Sequence, residues 1–510
     1  MASRFRAFRA LLKSGWTIAR HGGLMSQTQR RMLPAPARFL LGLLDGKKDA
    51  QSLAEALTQL GPSYIKLGQF LATRADLIGA EAAGRLAYLQ DKLAPFSMEE
   101  AKAEIRAALG QQIETLFSEF SEPIAAASIA QVHKARLKSG GMVAVKVLRP
   151  GVEQRFREDL AGFFLAADLA ETFSRDARRL RPRAAVQTLA DTVKLEMDLR
   201  MEASAMSEMA DNTADDPDFR VPRVDWAHTG SRVLTSEWVD GIKLNDIGAL
   251  KAAGIDLNRL ADNVIQSFLR HAIRDGFFHG DMHPGNLFAD RQGRLIPVDF
   301  GIMGRLSPKE RRFLAEILHG FITRDYARVS QVHFEAGYVP MDQDPATFAQ
   351  ALRAIGEPIQ DRIAADISMG HLLTQLFETT AKFNMQAQPQ LLLLQKTMVV
   401  VEGVARSLNP HFNMWVAAEP VVKEWMGRQF GLSSSVASFG ALMGGLPEML
   451  GEAQRATSLL AGMAASGGLR LDAETTQAIA RAQSRGTFWT RAAIWTGAIS
   501  LVAIAIALLM

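Results

Sequence analysis

The sequence predicts an α+β protein of two lobes, one bearing strands and the next mainly helical, with a helical extension in front and an apolar helix behind. Three observations carry this expectation. Strand-like runs are short and confined to residues 131–148, 221–239 and 287–298. Helical periodicity fills residues 50–120 and most of Pro308 to about Leu408. The stretch from Ala492 to Met510 has no charged residue. With 510 residues, 48% hydrophobic and 22% charged, the chain has material for a large core, which argues against wholesale disorder. It has no cysteine, so disulfides, thiolate metal sites and cysteine nucleophiles are excluded.

Taken in order, the first segment (1–48) is basic. No Asp or Glu occurs before Asp45, while Arg4, Arg6, Arg9, Lys13, Arg20, Arg30, Arg31 and Arg38 do. Phe5, Phe8, Leu11, Leu12 and Trp16 can share one helix face, as in a helix lying on an anionic membrane, a mitochondrial transit peptide or a solvated terminal helix. Residues 49–120 are a helical extension, broken at Leu93–Ser97, where Ser97 with Glu99 and Glu100 starts a new helix. A strand lobe with a helical insert follows (121–240). Val132–Leu137 and Met142–Leu148 flank Lys138-Ser139-Gly140-Gly141 as a hairpin. Helical periodicity then runs from Val152 to about Ala210, and Val221–Val224 and Arg232–Val239 read as strands. The helical lobe (241–410) contains a second small hairpin, Leu287–Ala289 and Leu295–Val298 around Asp290-Arg291-Gln292-Gly293. Residues 411–487 carry no clear pattern. The tail (488–510) reads as a membrane span: its 19 uncharged residues would cover roughly 28 Å of a roughly 30 Å hydrocarbon layer. Arg481, Arg485 and Arg491 before it would keep the bulk of the protein in the cytoplasm. The alternative is a C-terminal helix packed on the domain. A net charge of +4 is too small to argue for a nucleic-acid partner, and oligomeric state is not legible.

The chemistry is concentrated in His279-Gly280-Asp281-Met282-His283-Pro284-Gly285-Asn286 and in Asp299-Phe300-Gly301. Phosphoryl transfer needs the nucleotide held in line and its charge neutralised by Mg²⁺, a cation that prefers a few hard oxygen ligands. Asn286 and Asp299 supply such oxygens, and Asp281, five residues before Asn286, stands at the spacing of a kinase catalytic loop, where it would orient or deprotonate the acceptor. Val143-Ala144-Val145-Lys146 places a lysine for the α- and β-phosphates on the second strand of the first hairpin. The carboxylate that holds Lys146 stays open between Glu196, Asp198 and Glu202. Glu237-Trp238-Val239 is the candidate adenine-facing hinge, and His279 and His283 are read as loop-ordering residues rather than metal ligands. Together these features predict a protein-kinase-like fold binding ATP (or ADP) and Mg²⁺.

Two parts of an ordinary protein kinase are missing. The position of the Gly-rich loop reads Ala125, Ala126, Ala127, Ser128, Ile129, Ala130, Gln131, Val132, and Ser307-Pro308 begins a helix soon after Gly301 with no A-P-E triplet. With Lys66-Leu67-Gly68-Gln69, Glu196-Met197-Asp198 and Glu202-Ala203, these residues resemble the UbiB family of atypical kinases, which includes the ADCK proteins of mitochondria, over about residues 50–410. The resemblance implies a kinase-like fold whose K-x-G-Q extension folds over the active site, with Lys66 and Gln69 lining the nucleotide site and the Ala-rich loop altering how nucleotide is handled. It implies an ATPase or lipid- or small-molecule-directed kinase, closed to peptides, acting on ubiquinone or other isoprenoid-lipid precursors. The setting would be a bacterial inner membrane or the mitochondrial inner membrane, in contact with membrane lipids or a quinone-biosynthesis complex. Many bacterial members end in two transmembrane segments; here Ser435–Leu446 is short and Gly-rich, leaving one clear span. Two other functions remain in view: a nucleotide-switched scaffold or lipid-extracting accessory protein, and an amino-alcohol phosphotransferase, which shares the H-G-D-x-x-x-x-N loop but not the Lys66–Gln69 motif.

Overall fold

A computed structural model describes residues 50–72, 93–173, 181–360 and 389–430, with isolated positions before and between them. The chain divides into two units, Met1–Trp425 and Met426–Met510. The described helices and strands belong to the first unit, apart from the last residues of the final helix. The expected membrane tail and almost all of the basic segment lie outside the described residues. Among the described residues no helix is long and apolar enough to cross a membrane.

Helices α1 (Ala50–Leu60) and α2 (Pro62–Ala72) meet at Gly61. Its φ of +101° and an Arg155 guanidinium 2.5 Å from where a Cβ would sit leave room only for glycine. Arg155 donates to the Leu60 carbonyl at 2.8 Å, fixing the turn. Helix α3 (Met98–Leu109) starts at Ser97 with a capping box to Glu100, as the sequence expects.

The short helix α4 (Ile113–Leu116) then gives way to β1 (Phe117–Ala126), which the helical reading of residues 50–120 does not anticipate. Strand β1 is an edge strand with Pro123 in it and three irregularities in its pairing with β2, so it shows no clean alternation. Strands β2 (Ala130–Leu137) and β3 (Met142–Leu148) form the expected hairpin; Gly140 and Gly141, at φ +94° and +91°, make its turn. With β4 (Val233–Glu237) they complete an antiparallel sheet in the order β1-β2-β3-β4. Residues 221–224 contribute one bridge, Val224 to Ser236, rather than a strand. Val143, Val145 and Val147 pack with Ile105, Leu116 and Val233 beneath α3. Each buried valine contributes roughly 1.5–3 kcal/mol.

The long helical run breaks into α5 (Val152–Phe173), α6 (Pro182–Glu196) and α7 (Leu199–Asn212). Tyr64 of α2 meets Phe163 of α5 edge-on at 5.0 Å. After β5 (Ile242–Lys243) and α8 (Ile247–Ala252), helix α9 (Leu257–Arg270) runs through the core of the second lobe and widens into a π turn at His271–Asp275. Gly276 stops it, and β6 (Phe277–His279) leads into the loop that carries Asp281. The second predicted hairpin is β7 (Leu287–Ala289) and β8 (Leu295–Pro297), with Asp290 capping its turn; β9 (Met303–Arg305) returns to pair with β6. Helices α10 (Pro308–Ile322), α11 (Tyr326–Glu335), α12 (Pro345–Gln360), α13 (Pro389–Leu408) and α14 (Met414–Phe430) follow, α13 packing along α9.

Candidate functional site

Strand alternation sets the first half of the site. Because Val143, Val145 and Val147 point into the core, Lys146 points from the opposite face of β3. Its ammonium donates to Glu202 at 2.8 and 2.9 Å and to Asp299 Oδ1 at 2.9 Å. Burial alone would pull this ammonium down, but Asp299 and Glu202 outweigh it and hold it well above the usual lysine value.

The open question of the Lys146 partner is answered by a helix break. Helix α6 ends at Glu196, and Asp198 caps α7, its carboxylate held by Arg200 at 2.7 and 2.9 Å. The break sends the two glutamates in different directions. Glu202 goes to Lys146, while Glu196 pairs with Lys66 of α2 at 2.8 Å, both groups nearly buried. The side chain of Gln69, three residues along α2, is partly exposed and makes no hydrogen bond among the described residues.

Asp299 is the meeting point. Burial would raise its carboxyl; Lys146, then Lys66 and His279, hold it well below the usual carboxylate range. Its side chain still keeps 46% of its surface accessible, so it lines a cleft rather than a sealed core. Its backbone is left-handed, φ +66°. Burial pushes Glu202 up to about 7, with Lys146 pulling it down and Asp299 adding to the rise. Two ammoniums, Lys66 and Lys146, thus face three carboxyl groups, Glu196, Glu202 and Asp299.

The second half is built from loop hydrogen bonds. Asn286 Nδ2 donates to the Asp281 carbonyl at 3.2 Å and to Asp281 Oδ2 at 3.3 Å, which leaves Asn286 Oδ1 as an acceptor. Val298 N–H donates to the Asn286 carbonyl at 2.8 Å, bringing Asp299 back beside the loop. His279, buried, accepts the Asp281 N–H at Nδ1 (3.1 Å). His283 accepts the Gly285 N–H at 3.0 Å and sets Nε2 3.8 Å from Asp281. A Cβ on Gly285 would lie 2.7 Å from that ring. Both histidines therefore order the loop. Thr397 of α13, which the sequence does not single out, donates from its hydroxyl to the Gly280 carbonyl at 3.0 Å.

Among the described residues no cluster of three or more His, Asp or Glu side chains could cage a metal. Two hard oxygens, on Asn286 and Asp299, fit a Mg²⁺ that brings its other ligands from phosphate and water.

The Ala-rich stretch spans the end of β1, a turn at Ala127–Ile129 and the start of β2. Arg149 fastens the turn, donating to the Ala127 carbonyl at 3.0 and 3.1 Å and to the Ala94 carbonyl at 2.8 Å. The Gln131 amide is engaged with the backbone of Phe96, accepting from its N–H at 2.9 Å. Ser128, Ile129 and Ala130 are buried, whereas Ala125 is exposed and Ala126 and Val132 are partly exposed, offering backbone and small apolar surface there. At the hinge, Glu237 N–H donates to Arg223 and Trp238 N–H to Met142, so neither is available to a base, and the Glu237 carboxylate pairs with Arg220.

The chain matches the ABC1 atypical kinase-like domain over residues 88–333 and the UbiB helical domain over 352–413. It is 42% identical over 388 residues to the "Probable protein kinase UbiB" of Marinobacter nauticus, covering 75% of this chain and 71% of that one. The protein of the same name from Azotobacter vinelandii is 40% identical over 419 residues, 81% and 78% of the two chains. A solved structure, the Rv3197–erythromycin complex of Mycobacterium tuberculosis, superposes with a TM-score of 0.53 at 24% identity, over 76% of this chain and 98% of that one; that likeness concerns the fold alone.

Proposed function

The chain belongs to the UbiB family of atypical kinase-like proteins, and we propose that it binds Mg²⁺·ATP and transfers or hydrolyses the γ-phosphoryl group in ubiquinone or related isoprenoid-lipid biosynthesis at a membrane. The observation that carries this reading is Lys146 bridging Glu202 and Asp299 in a cleft shared with Asp281 and Asn286. In it, Lys146 binds the α- and β-phosphates, and Glu202 keeps its ammonium pointed into the cleft. Asp299 and Asn286 hold Mg²⁺, which supplies charge neutralisation for the phosphate oxygens when bound. Asp281 accepts the proton of the acceptor oxygen, or of water. Backbone groups of Glu237 and Val239 other than the engaged N–H donors meet the adenine, and the Ala-rich turn lies over the phosphates. Lys66 and Glu196, from α2 and α6, flank the cleft where an extended peptide would otherwise enter, which favours a small or lipid acceptor.

The membrane part of the proposal is supported by the uncharged run Ala492–Met510 and the basic stretch before Asp45. The pathway is supported by the bacterial relatives' UbiB name. Purified full-length protein in lipid is expected to turn over Mg²⁺·ATP and Asp299→Asn to lose it. A deletion strain is expected to accumulate quinone precursors and to be restored by wild type but not by Asp299→Asn. Equal inertness of both proteins, with lipid and quinone-precursor mimics present, would sink the catalytic reading.

A further inference from the structure

We infer that Thr397, on helix α13, is a positioning residue for Asp281. The inference rests on the reading of Asp281 as the group that orients the phosphoryl acceptor. The peptide unit joining Gly280 to Asp281 is held at both of its polar ends. Its N–H donates to His279 Nδ1 at 3.1 Å, and its carbonyl accepts from Thr397 Oγ1 at 3.0 Å. Two fixed ends define the plane of that peptide, and the plane sets the direction in which the Asp281 side chain leaves the backbone.

The surroundings leave this peptide little freedom. Gly280 N–H donates to the Ile302 carbonyl at 2.8 Å, tying the loop to the segment just after Gly301. A Cβ on Gly280 would lie 2.9 Å from Ile302 and 3.2 Å from Leu393, so helix α13 rests directly on the loop backbone. Thr397 is buried, so its hydroxyl has to find its partner within the protein.

The same hydroxyl also approaches the Leu393 carbonyl, one helical turn back, at 2.8 Å. Many helical threonines do this with no functional role. Here the two acceptors are unequal. Inside a helix the Leu393 carbonyl already receives the N–H of residue 397, whereas the Gly280 carbonyl sits in a loop, where the hydroxyl is the donor that α13 brings to it. The single proton is shared between them, and losing it falls mainly on the loop. Helix α13 lies within the residues matched by the UbiB helical domain. The hydroxyl is thus a direct link from that domain to the reacting end of the kinase-like domain.

The test uses the full chain in lipid with Mg²⁺·ATP as the probe. Thr397→Val keeps the shape and removes the hydroxyl, Thr397→Ser keeps the hydroxyl, and Ser407→Ala, which removes a hydroxyl bonded only within α13 to Val404, is the control. Thr397→Val is expected to lower kcat roughly 10- to 100-fold while Mg²⁺·ATP affinity stays at the wild-type value. Amide hydrogen exchange in the 278–284 peptide is expected to quicken roughly tenfold. Thr397→Ser should recover most of both losses, and Ser407→Ala should show neither. Wild-type turnover and exchange in Thr397→Val would overturn the inference, as would a loss of nucleotide affinity matching the loss of turnover. If the wild-type chain binds Mg²⁺·ATP without turning it over, the functional reading fails, and the exchange comparison alone decides whether Thr397 holds the loop.

Discussion

The two halves of the cleft are held in place by different physics. Lys146 is positioned by a sheet: seven residue pairs along β2 and β3 fix its register, and valines on either side of it are locked in a core. Asp281, Asn286 and Asp299 sit in loops, placed by a few individual hydrogen bonds. A sheet distributes positioning over many contacts, so disturbing it costs stability before it costs geometry. A loop concentrates positioning in few contacts, so a single group can be lost from it while the fold persists.

Four substitutions test this contrast. The largest effect is expected at the loop half: Asp299→Asn should reduce Mg²⁺·ATP turnover by about 10³-fold or more, measured by phosphate release, while circular dichroism shows a folded chain. If turnover survives, the loop half is not the reacting half. Next is Lys146→Met, which removes the one cation between Glu202 and Asp299. It should cost about 3–5 kcal/mol in urea unfolding and weaken nucleotide binding as well, joining the two kinds of loss in one residue. Val145→Ala, in the sheet core, should cost on the order of 1–3 kcal/mol yet leave turnover per folded molecule unchanged. A fall in specific activity there would show that the sheet passes strain to the cleft.

The smallest effect is expected at the joint between the halves. Asp216, just past the end of α7, binds Arg274 at 2.6 and 3.1 Å and His271 at 3.3 Å, and Arg274 also reaches the Asn212 carbonyl. Burial would raise the Asp216 carboxyl, but His271, Arg274 and Arg270 hold it well below the usual range. A depressed folded-state value contributes stability above the unfolded value, near 4, and that contribution is lost as the pH falls through the folded one. Asp216→Asn should therefore cost on the order of 1–2 kcal/mol at pH 7. Urea unfolding should show the gap to wild type narrowing below about pH 4.

The same contrast explains which features are legible in the sequence. The β2–β3 hairpin and Lys146 are legible because alternation and a Gly-Gly turn are local signals. The reacting loop is legible because its residue types and spacing have few other uses. Strand β1 is hidden by Pro123 and its irregular pairing. The partners of Lys146 and Lys66 are hidden because Glu196 and Glu202 read as one helix, and only the turn at Met197 separates them. Arg149 and Thr397 have no local signal at all. Each acts on a backbone carbonyl distant in sequence, Ala127 and Gly280, and a carbonyl leaves no mark on residue identity.

The left-handed backbone at Asp299 bears on how such a chain changes over generations. Sitting at φ +66° costs an aspartate about 1 kcal/mol, and a glycine there would be free of that strain. Removing the carboxylate would also take one negative charge away from Glu202. Against that strain, Lys146 holds the Asp299 carboxyl well below the usual range, so the ionised side chain also contributes to stability. A glycine there would relax the backbone while taking from Lys146 one of the two carboxylates it bridges, so strain and ion pairing pull this one position in opposite directions.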